Sequence, residues 1–377
     1  MIDGGTLVLF GAKGNLARVK LIPGLFHLDA CGKLPSAMKI LSVGRQEVSD
    51  DAWVAEIKDM LEKKFKGNYD QLVFDRFIKR NIYHCNLPDD PDAFKKFALK
   101  LNDDKKFTKN FAFFLSVRRS DFALIVDQLA EQNLLDENQG AYRRVLIEKP
   151  FGTDLETAIE LQTSIEKHLK ECQIYRIDHY LGKTALQNIL ITRFGNSIFE
   201  PLWNNQYIDH IQITNHEQLG AGDRTTFYDA TGALRDMIQS HLLQMLALTT
   251  MNRPKSFSPD AIREEKIKVL ESIKTIPSAS FDDFTFRAQY KSGKIDGENV
   301  PGYLEELERD GLSPSSVTET YAAIKLFIDN EKWKGVPIYL RTAKRLHEAG
   351  TYISIKFKNE NSIIKNSNAN WLIMSIQ

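Results

Sequence analysis

The sequence has little cysteine, no imbalance of charge and no long apolar run, and each shortage excludes something. Its three cysteines among 377 residues, Cys31, Cys85 and Cys172, are odd in number and far apart, and none stands in a CxxC or Cys/His ligand spacing. That excludes a disulfide framework and a cysteine-based metal site, and predicts buried free thiols in a reducing cytosol. Lysine plus arginine equal aspartate plus glutamate, 50 against 50, so no net field draws the chain to nucleic acid or to an anionic membrane. No apolar stretch approaches the roughly 18 residues that a membrane-spanning helix needs, and the opening "MIDGGTLVLFGAKG" has neither a basic n-region nor a cleavage site. The expectation is a soluble, cytoplasmic protein without nucleic-acid or membrane partners, whose anionic ligands are met by local charges.

What is present is a chain too long for one ordinary core, for which two domains are expected. In the first half, short β-branched or aromatic runs ("TLVLF", "KILSVG", "NIYHCNL", "FAFFLS", "RVLIEK") alternate with amphipathic stretches near 15–30, 51–65, 91–103, 120–134 and 154–170. The last of these opens on Thr153 or Asp154 as N-cap. That alternation predicts βαβ units in a doubly wound, Rossmann-type α/β sheet. After about residue 180, helices near 183–193, 227–250 and 259–272 mix with "YIDHIQITNHE", "TFRAQY", "TYAAIKLFID", "VPIYL", "TYISIKFK" and "NWLIMSI". Strands without regular crossovers predict an α+β domain on a large, mostly antiparallel sheet. "KSGKIDGENVPGY" and "GLSPSS" read as loops. The boundaries drawn are 1–178 for the nucleotide-binding domain and 179–377 for the substrate and dimerisation domain.

"TLVLFGAKGNLARVKLIPGLFHL" is a buried strand, a glycine turn and an amphipathic helix. Gly11 and Gly14 would let the backbone approach a pyrophosphate held at the helix N-terminus, with Ala12, Asn15 and Leu16 completing the turn. GxxGxL is weaker than GxGxxG and also suits a purely structural turn; its place in a βαβ unit favours a dinucleotide. Where the second strand ends, a carboxylate would meet a free ribose 2′-hydroxyl, but Arg45 stands there. A guanidinium suits a 2′-phosphate, so NADP is expected as cofactor with NAD as a weaker alternative; the other reading of Arg45 is a solvated surface cation.

"RIDHYLGK" packs reactive groups densely: His179, Tyr180 and Lys183 are suited to a phosphate, and Asp178 is left to orient another group. "EKPFG", at the end of a late strand, and "RDMIQSHLLQ", on a long helix, share with it a location between the domains, where ligand sites are common. His241 lies beside the apolar stripe Leu234, Ile238, Leu242 and Leu246, as a core histidine does. The functional reading makes it a general base, which needs a carboxylate to fix its tautomer; Asp178 is the candidate.

Six stretches in order, "FGAKGNLARVKLIPGLFHL", "EKPFG", "RIDHYLGK", "ALRDMIQSHLLQ", "VPGYLEE" and "GVPIYLRTAKRL", resemble the successive motifs of the glucose-6-phosphate dehydrogenase family. The resemblance implies hydride transfer from C1 of glucose 6-phosphate to NADP, giving the lactone and feeding the oxidative pentose phosphate route, with no metal required. It implies that His241 takes the proton of the anomeric hydroxyl and that Asp178 is its partner. It further implies substrate or phosphate contacts for His179, Tyr180 and Lys183, sugar or bridging contacts for Lys149, Glu217 and Asp236, and basic ligands at Lys344 and Lys20. A homo-oligomer, dimer or tetramer, is expected of the full-length form, since the family's large sheet makes its dimer contact.

Some positions depart from the family pattern. Asn15 replaces the usual aspartate of the glycine turn, Arg118 and Arg119 replace a proline pair after "FAFFLS", and Ala349 stands where a second basic substrate ligand is expected. The family also continues past "NWLIMSIQ", so the second sheet is expected to be incomplete, with an exposed edge and apolar surface. Two competing readings follow: a sugar oxidoreductase of the glucose-fructose oxidoreductase type, which shares "EKP" but not "RIDHYLGK", and a shortened, weakly active or inactive nucleotide-binding or subunit-pairing module.

Overall fold

The computed structural model describes residues 4–87, 90–103, 106–138, 140–359 and 368–376. The chain divides into two compact units, Met1–Ile177 and Asp178–Gln377. In the first, strands β1 (Thr6–Phe10), β2 (Lys39–Gly44), β3 (Asn81–Cys85), β4 (Phe111–Leu115), β5 (Arg143–Ile147) and β6 (Ile174–Arg176) form one parallel sheet in the order β3-β2-β1-β4-β5-β6. Helices α1 (Ile22–Ala30), α2 (Asp50–Phe65), α3 (Gln71–Lys79), α4 (Ala93–Leu101), α5 (Phe122–Glu131) and α6 (Leu155–Glu166) connect them. Every residue of β1 is buried, as a central parallel strand covered on both faces must be. Two apolar clusters, around Val8, Phe113 and Val126 and around Leu9, Trp53 and Phe77, form the core. Asp154 is the N-cap of α6, accepting from the Thr157 N–H at 2.9 Å.

The sequence pattern predicts five strands here; β6 is a sixth. Its three residues are too short for a periodic signal to show. Helix α3 also lies outside the predicted set, although Asp70 accepts from the Leu72 N–H and Phe74 and Phe77 face the core. The cysteines differ from expectation as well: Cys31 and Cys172 are exposed and Cys85 half-buried, all three as free thiols. Cys31 sits at the C-cap of α1 and Cys172 in a short 3-10 turn, both at the surface.

The second unit carries β7 (Ile208–His216), β8 (Thr285–Ala288), β11 (Tyr321–Leu326), β12 (Ile338–Ala343), β13 (Gly350–Phe357) and β14 (Trp371–Ser375), in the order β14-β13-β7-β12-β11-β8. All pairs are antiparallel except β7 with β12. Trp371 and Ile373 on the edge strand β14 are 46% and 63% exposed. β9 (Gly293–Ile295) and β10 (Glu298–Val300) make a separate hairpin inside a stretch read from sequence as loop. Its Asp296-Gly297 turn has φ of +52° and +86°, the conformation that Asp-Gly favours in two-residue hairpins. Helices α7 (Thr184–Phe194), α8 (Phe199–Leu202), α9 (Thr225–Ala233), α10 (Leu243–Thr250), α11 (Pro259–Glu271), α12 (Phe281–Phe284) and α13 (Tyr303–Arg309) complete the unit.

The single helix predicted over 227–250 is broken. Gly232 takes φ 74° and ψ 168°, a combination open essentially to glycine. Beyond it, Leu234–Leu242 winds with π-type i→i+5 bonding before α10 begins. Glu319 holds the restart: its Oε1 accepts from the Leu234 N–H at 2.9 Å and its carbonyl from the Ala233 N–H at 3.0 Å. At the far end the carbonyls that α10 leaves unpaired go to buried side chains. Arg193 donates to Leu248 and Met251 at 2.8 and 2.7 Å, Trp203 to Thr249 at 2.7 Å, and Trp333 to Thr250 at 2.7 Å. The segment between these two anchorages carries His241. A Cβ on Gly232 would stand 2.6 Å from Glu319 Oε1, so Gly232→Ala is expected to destabilise this unit by about 3 kcal/mol from backbone strain and the displaced cap. Urea unfolding followed by tryptophan fluorescence measures it; an unchanged midpoint would show that the break is not required.

Candidate active site

In the first unit the expected cofactor residues gather at the C-terminal edge of the parallel sheet, where doubly wound folds bind nucleotides. The glycine turn runs from β1 to a helical start at Asn15. Gly11 has φ +78°, and a Cβ there would lie 2.1 Å from the Ser116 carbonyl oxygen, so only glycine fits. The Gly11 and Ala12 amides both donate to the Val43 carbonyl at 3.0 Å, and the Gly14 amide to the Gly11 carbonyl at 2.8 Å. The glycines therefore shape the turn, while the amides left for an anion belong to the first helical turn from Asn15 through Leu16.

Arg45 is exposed just beyond β2, Lys149 is half-buried just beyond β5, and Lys20 is exposed on the helix that follows the turn. Ser116 Oγ and Asn86 Oδ1, just past the ends of β4 and β3, are buried without a hydrogen-bond partner. Unspent polar atoms beside a turn that admits no side chain fit a bound dinucleotide. Arg118, one of the pair replacing prolines, reaches Asp121 at 3.5 Å.

In the second unit the structure brings together residues that sequence spacing leaves sixty-three apart. His241 Nδ1 lies 2.7 Å from Asp178 Oδ1, with the imidazole 1% exposed. The same carboxylate oxygen accepts the Tyr180 N–H at 2.9 Å. An ionised Asp178 accepting from Nδ1–H leaves Nε2 as the basic nitrogen and stabilises the imidazolium once a proton is taken. The Tyr180 ring stacks on the imidazole, 4.0 Å between centroids at 17°, and the His179 ring stands 4.6 Å away. Lys183 Nζ is 4.0 Å from the centre of the Tyr180 ring. Ligand-type atoms of Asp178, His179 and His241 lie within 4.8 Å of one another, but two of these residues already share a hydrogen bond suited to moving a proton.

The Tyr180 hydroxyl accepts from Asn215 Nδ2 at 2.9 Å in a buried network with Thr351, and burial pushes its pKa up to about 12. The hydroxyl is thus tied to the sheet as an acceptor, and the ring lies against His241. Glu217 and Lys344 form an ion pair, with Lys344 Nζ 5.0 Å from the Tyr228 ring centre. Asp236 precedes His241 by five residues, about 140° around an α-helix; the i→i+5 winding brings positions five apart much nearer to one line.

Three contributors were missed by the sequence reading. Asn215 is a polar residue at a buried position of β7, a signal visible as "ITNHE" within an apolar alternation. Tyr228, on α9, underlies Lys344. Lys266 lies on the inward stripe of α11; burial lowers its pKa and the Asp178 charge opposes that shift. Nothing in its local sequence marks it.

A Rossmann-type nucleotide sheet and a buried imidazole–carboxylate pair define a class, the nicotinamide-dependent dehydrogenases. Residues 8–188 match the model of the glucose-6-phosphate dehydrogenase NAD binding domain, and residues 190–377 that of the glucose-6-phosphate dehydrogenase C-terminal domain. Glucose-6-phosphate 1-dehydrogenase of Treponema pallidum (strain Nichols) is 43% identical over 93% of this chain and 68% of its own length. That of Bacillus subtilis (strain 168) is 39% identical over 98% of this chain and 76% of its own. A solved glucose-6-phosphate dehydrogenase in complex with its substrate glucose-6-phosphate superimposes with a TM-score of 0.89 at 33% identity, covering 100% of this chain and 76% of that one. The chain belongs to the glucose-6-phosphate dehydrogenase family. No helix among the described residues is long and apolar enough to cross a membrane.

The fit of the glycine turn gives a direct test. Gly11→Ala is expected to weaken nucleotide binding by about a hundredfold or more, because the turn must move off the Ser116 carbonyl. Quenching of protein fluorescence by NADP measures it, and unchanged affinity would show that the turn tolerates a side chain.

Proposed function

We propose that this chain oxidises glucose 6-phosphate at C1, with NADP as hydride acceptor, giving 6-phospho-glucono-1,5-lactone. The observation that carries the reading is the 2.7 Å contact of buried His241 with Asp178 in a chain of this family. Lys183 and His179 supply donors for the phosphate, and Lys344 adds a cation. Glu217 and Asp236 offer carboxylates to sugar hydroxyls. Lys149 would supply a cation to the sugar or the cofactor, and Lys20 adds a basic group after the glycine turn. Tyr180 keeps the imidazole in plane from its stacked position. His241 Nε2 accepts the proton of the C1 hydroxyl, and Asp178 holds the resulting imidazolium; loss of that proton raises electron density at C1. The nicotinamide, when bound, supplies the hydride acceptor.

NADP is preferred over NAD on the position of Arg45, an exposed guanidinium immediately past β2 with no acidic residue before Glu47. The three free thiols suit a reducing, cytoplasmic setting. A homo-oligomer built on the large sheet is the assembly we expect.

Reduced nicotinamide followed by absorbance, with glucose 6-phosphate or free glucose and with NADP or NAD, tests the whole reading. Turnover is expected with the phosphate and not with glucose; the reverse would sink it. His241→Asn is expected to lower kcat by about 10²–10⁴ with nucleotide binding retained, as loss of a general base requires. Arg45→Ala should raise KM for NADP about tenfold or more, the worth of one charge-assisted contact, and leave KM for NAD nearly unchanged. Equal effects on both cofactors would return Arg45 to the solvated surface.

A further inference from the structure

The motif "VPGYLEE" supplies none of the residues of the candidate site, yet its last residue is a carboxylate with four hydrogen-bond partners. Glu306, on α13, is 1% exposed. Its Oε2 accepts the Ala221 N–H at 3.1 Å, the Gly222 N–H at 3.3 Å and the Tyr290 hydroxyl at 2.7 Å. Its Oε1 accepts from Arg345 Nη2. Gly220 lies directly against the pair: a Cβ there would stand 2.6 Å from Glu306 Oε1 and 2.7 Å from Arg345 Nε.

The two segments held in this way are those that present Glu217 and Lys344. Ala221 and Gly222 end the stretch that leaves Glu217, and Arg345 is the residue after Lys344. Between the segments the Glu217 N–H donates to the Ala343 carbonyl at 2.8 Å, the Leu346 N–H to the Glu217 carbonyl at 3.1 Å, and the Arg345 N–H to the Leu219 carbonyl at 3.3 Å. Arg345 has φ +58°, a left-handed conformation that a non-glycine residue keeps only where its surroundings over-determine it. The turn sends Arg345 to Glu306 while Lys344 reaches Glu217. A buried guanidinium–carboxylate pair with further hydrogen bonds fixes geometry in a way that an exposed pair does not.

We propose that Glu306 is a positioning residue for sugar-phosphate binding: through Arg345 and the 220–222 backbone it holds Lys344 and Glu217 in the arrangement that receives the substrate. This rests on the function proposed above. It also assigns a role to Arg345, whose guanidinium goes to Glu306 and which lies outside the set expected from the sequence.

The test is a kinetic series on the full chain with Glu306→Gln, Arg345→Met and the double variant. Glu306→Gln keeps the shape, removes the charge and turns one acceptor oxygen into an amide donor. It is expected to raise KM for glucose 6-phosphate about tenfold while kcat stays within about threefold and nucleotide affinity is unchanged, since ground-state positioning is what is lost. Arg345→Met should do the same, and the double variant should recover most of the loss, because no buried charge is then left unpaired. Gly220→Ala, which pushes on the pair from outside, is the second probe if Glu306→Gln fails to fold, and the same KM shift is expected. Unchanged KM in the singles, or parallel loss of kcat and of both substrates' binding with no recovery in the double, would overturn the proposal in favour of a purely structural ion pair. Wild-type turnover in the same series keeps the two readings apart: if the wild type does not oxidise glucose 6-phosphate, it is the parent reading that has failed.

Discussion

One hydrogen bond, from His241 to Asp178, sets the demands that the second unit has to meet. An imidazole that is almost entirely buried can act as a base only if a fixed acceptor holds one nitrogen and the other is left to the substrate. Asp178 is itself fixed by the Tyr180 amide, and the Tyr180 ring lies flat on the imidazole. The tyrosine in turn is tied through Asn215 to β7, and Asn215 to Thr351 of β13. The orientation of the base is thus referred, bond by bond, to the middle of a six-stranded sheet.

The helix that carries His241 is held with matching care at both ends. Glu319 fixes its start beyond the Gly232 break, and Arg193, Trp203 and Trp333 fix its last carbonyls. Between these points the winding is π-type, which is less favourable than α and common where function needs a particular set of side chains on one line. In the function proposed above that set is Asp236 and His241. A regular α-helix through the same stretch would turn one of them away.

The order of strands and helices was largely legible in the sequence, because the period of the apolar residues changes visibly from two to about 3.6 between elements. What stayed hidden was short or conformational. β6 has three residues, and the Asp296-Gly297 hairpin hid inside a stretch whose glycines and proline read as loop. The Gly232 break and the π-winding leave the apolar stripe of the helix almost unchanged. For the site, pattern and family resemblance pointed to Asp178 and His241, which the structure places in hydrogen-bond contact, but not to the residues packed around them. Asn215, Lys266, Glu306 and Arg345 act through tertiary contacts, and no local spacing reports a contact across a sheet. The Tyr180 hydroxyl accepts from Asn215, a tie to the sheet that the motif alone does not show.

The pairing of Lys344 with Glu217 shapes how this site takes a charged substrate. Each side chain already has a partner, and both are partly exposed, so their pairing contributes little to stability. In the function proposed above, substrate binding at this point would be an exchange of partners: a new anion would compete with Glu217 for the ammonium and release Glu217 toward hydroxyl donors. Such an exchange costs less than uncovering a buried, unpaired lysine, and it retains selectivity because it needs an anion and a donor at a fixed separation. That separation depends on the backbone beneath the pair. With alanine at position 349, where the family resemblance implies a second basic ligand, the proposed function puts more weight on Lys344 and hence on the contacts that keep it in place.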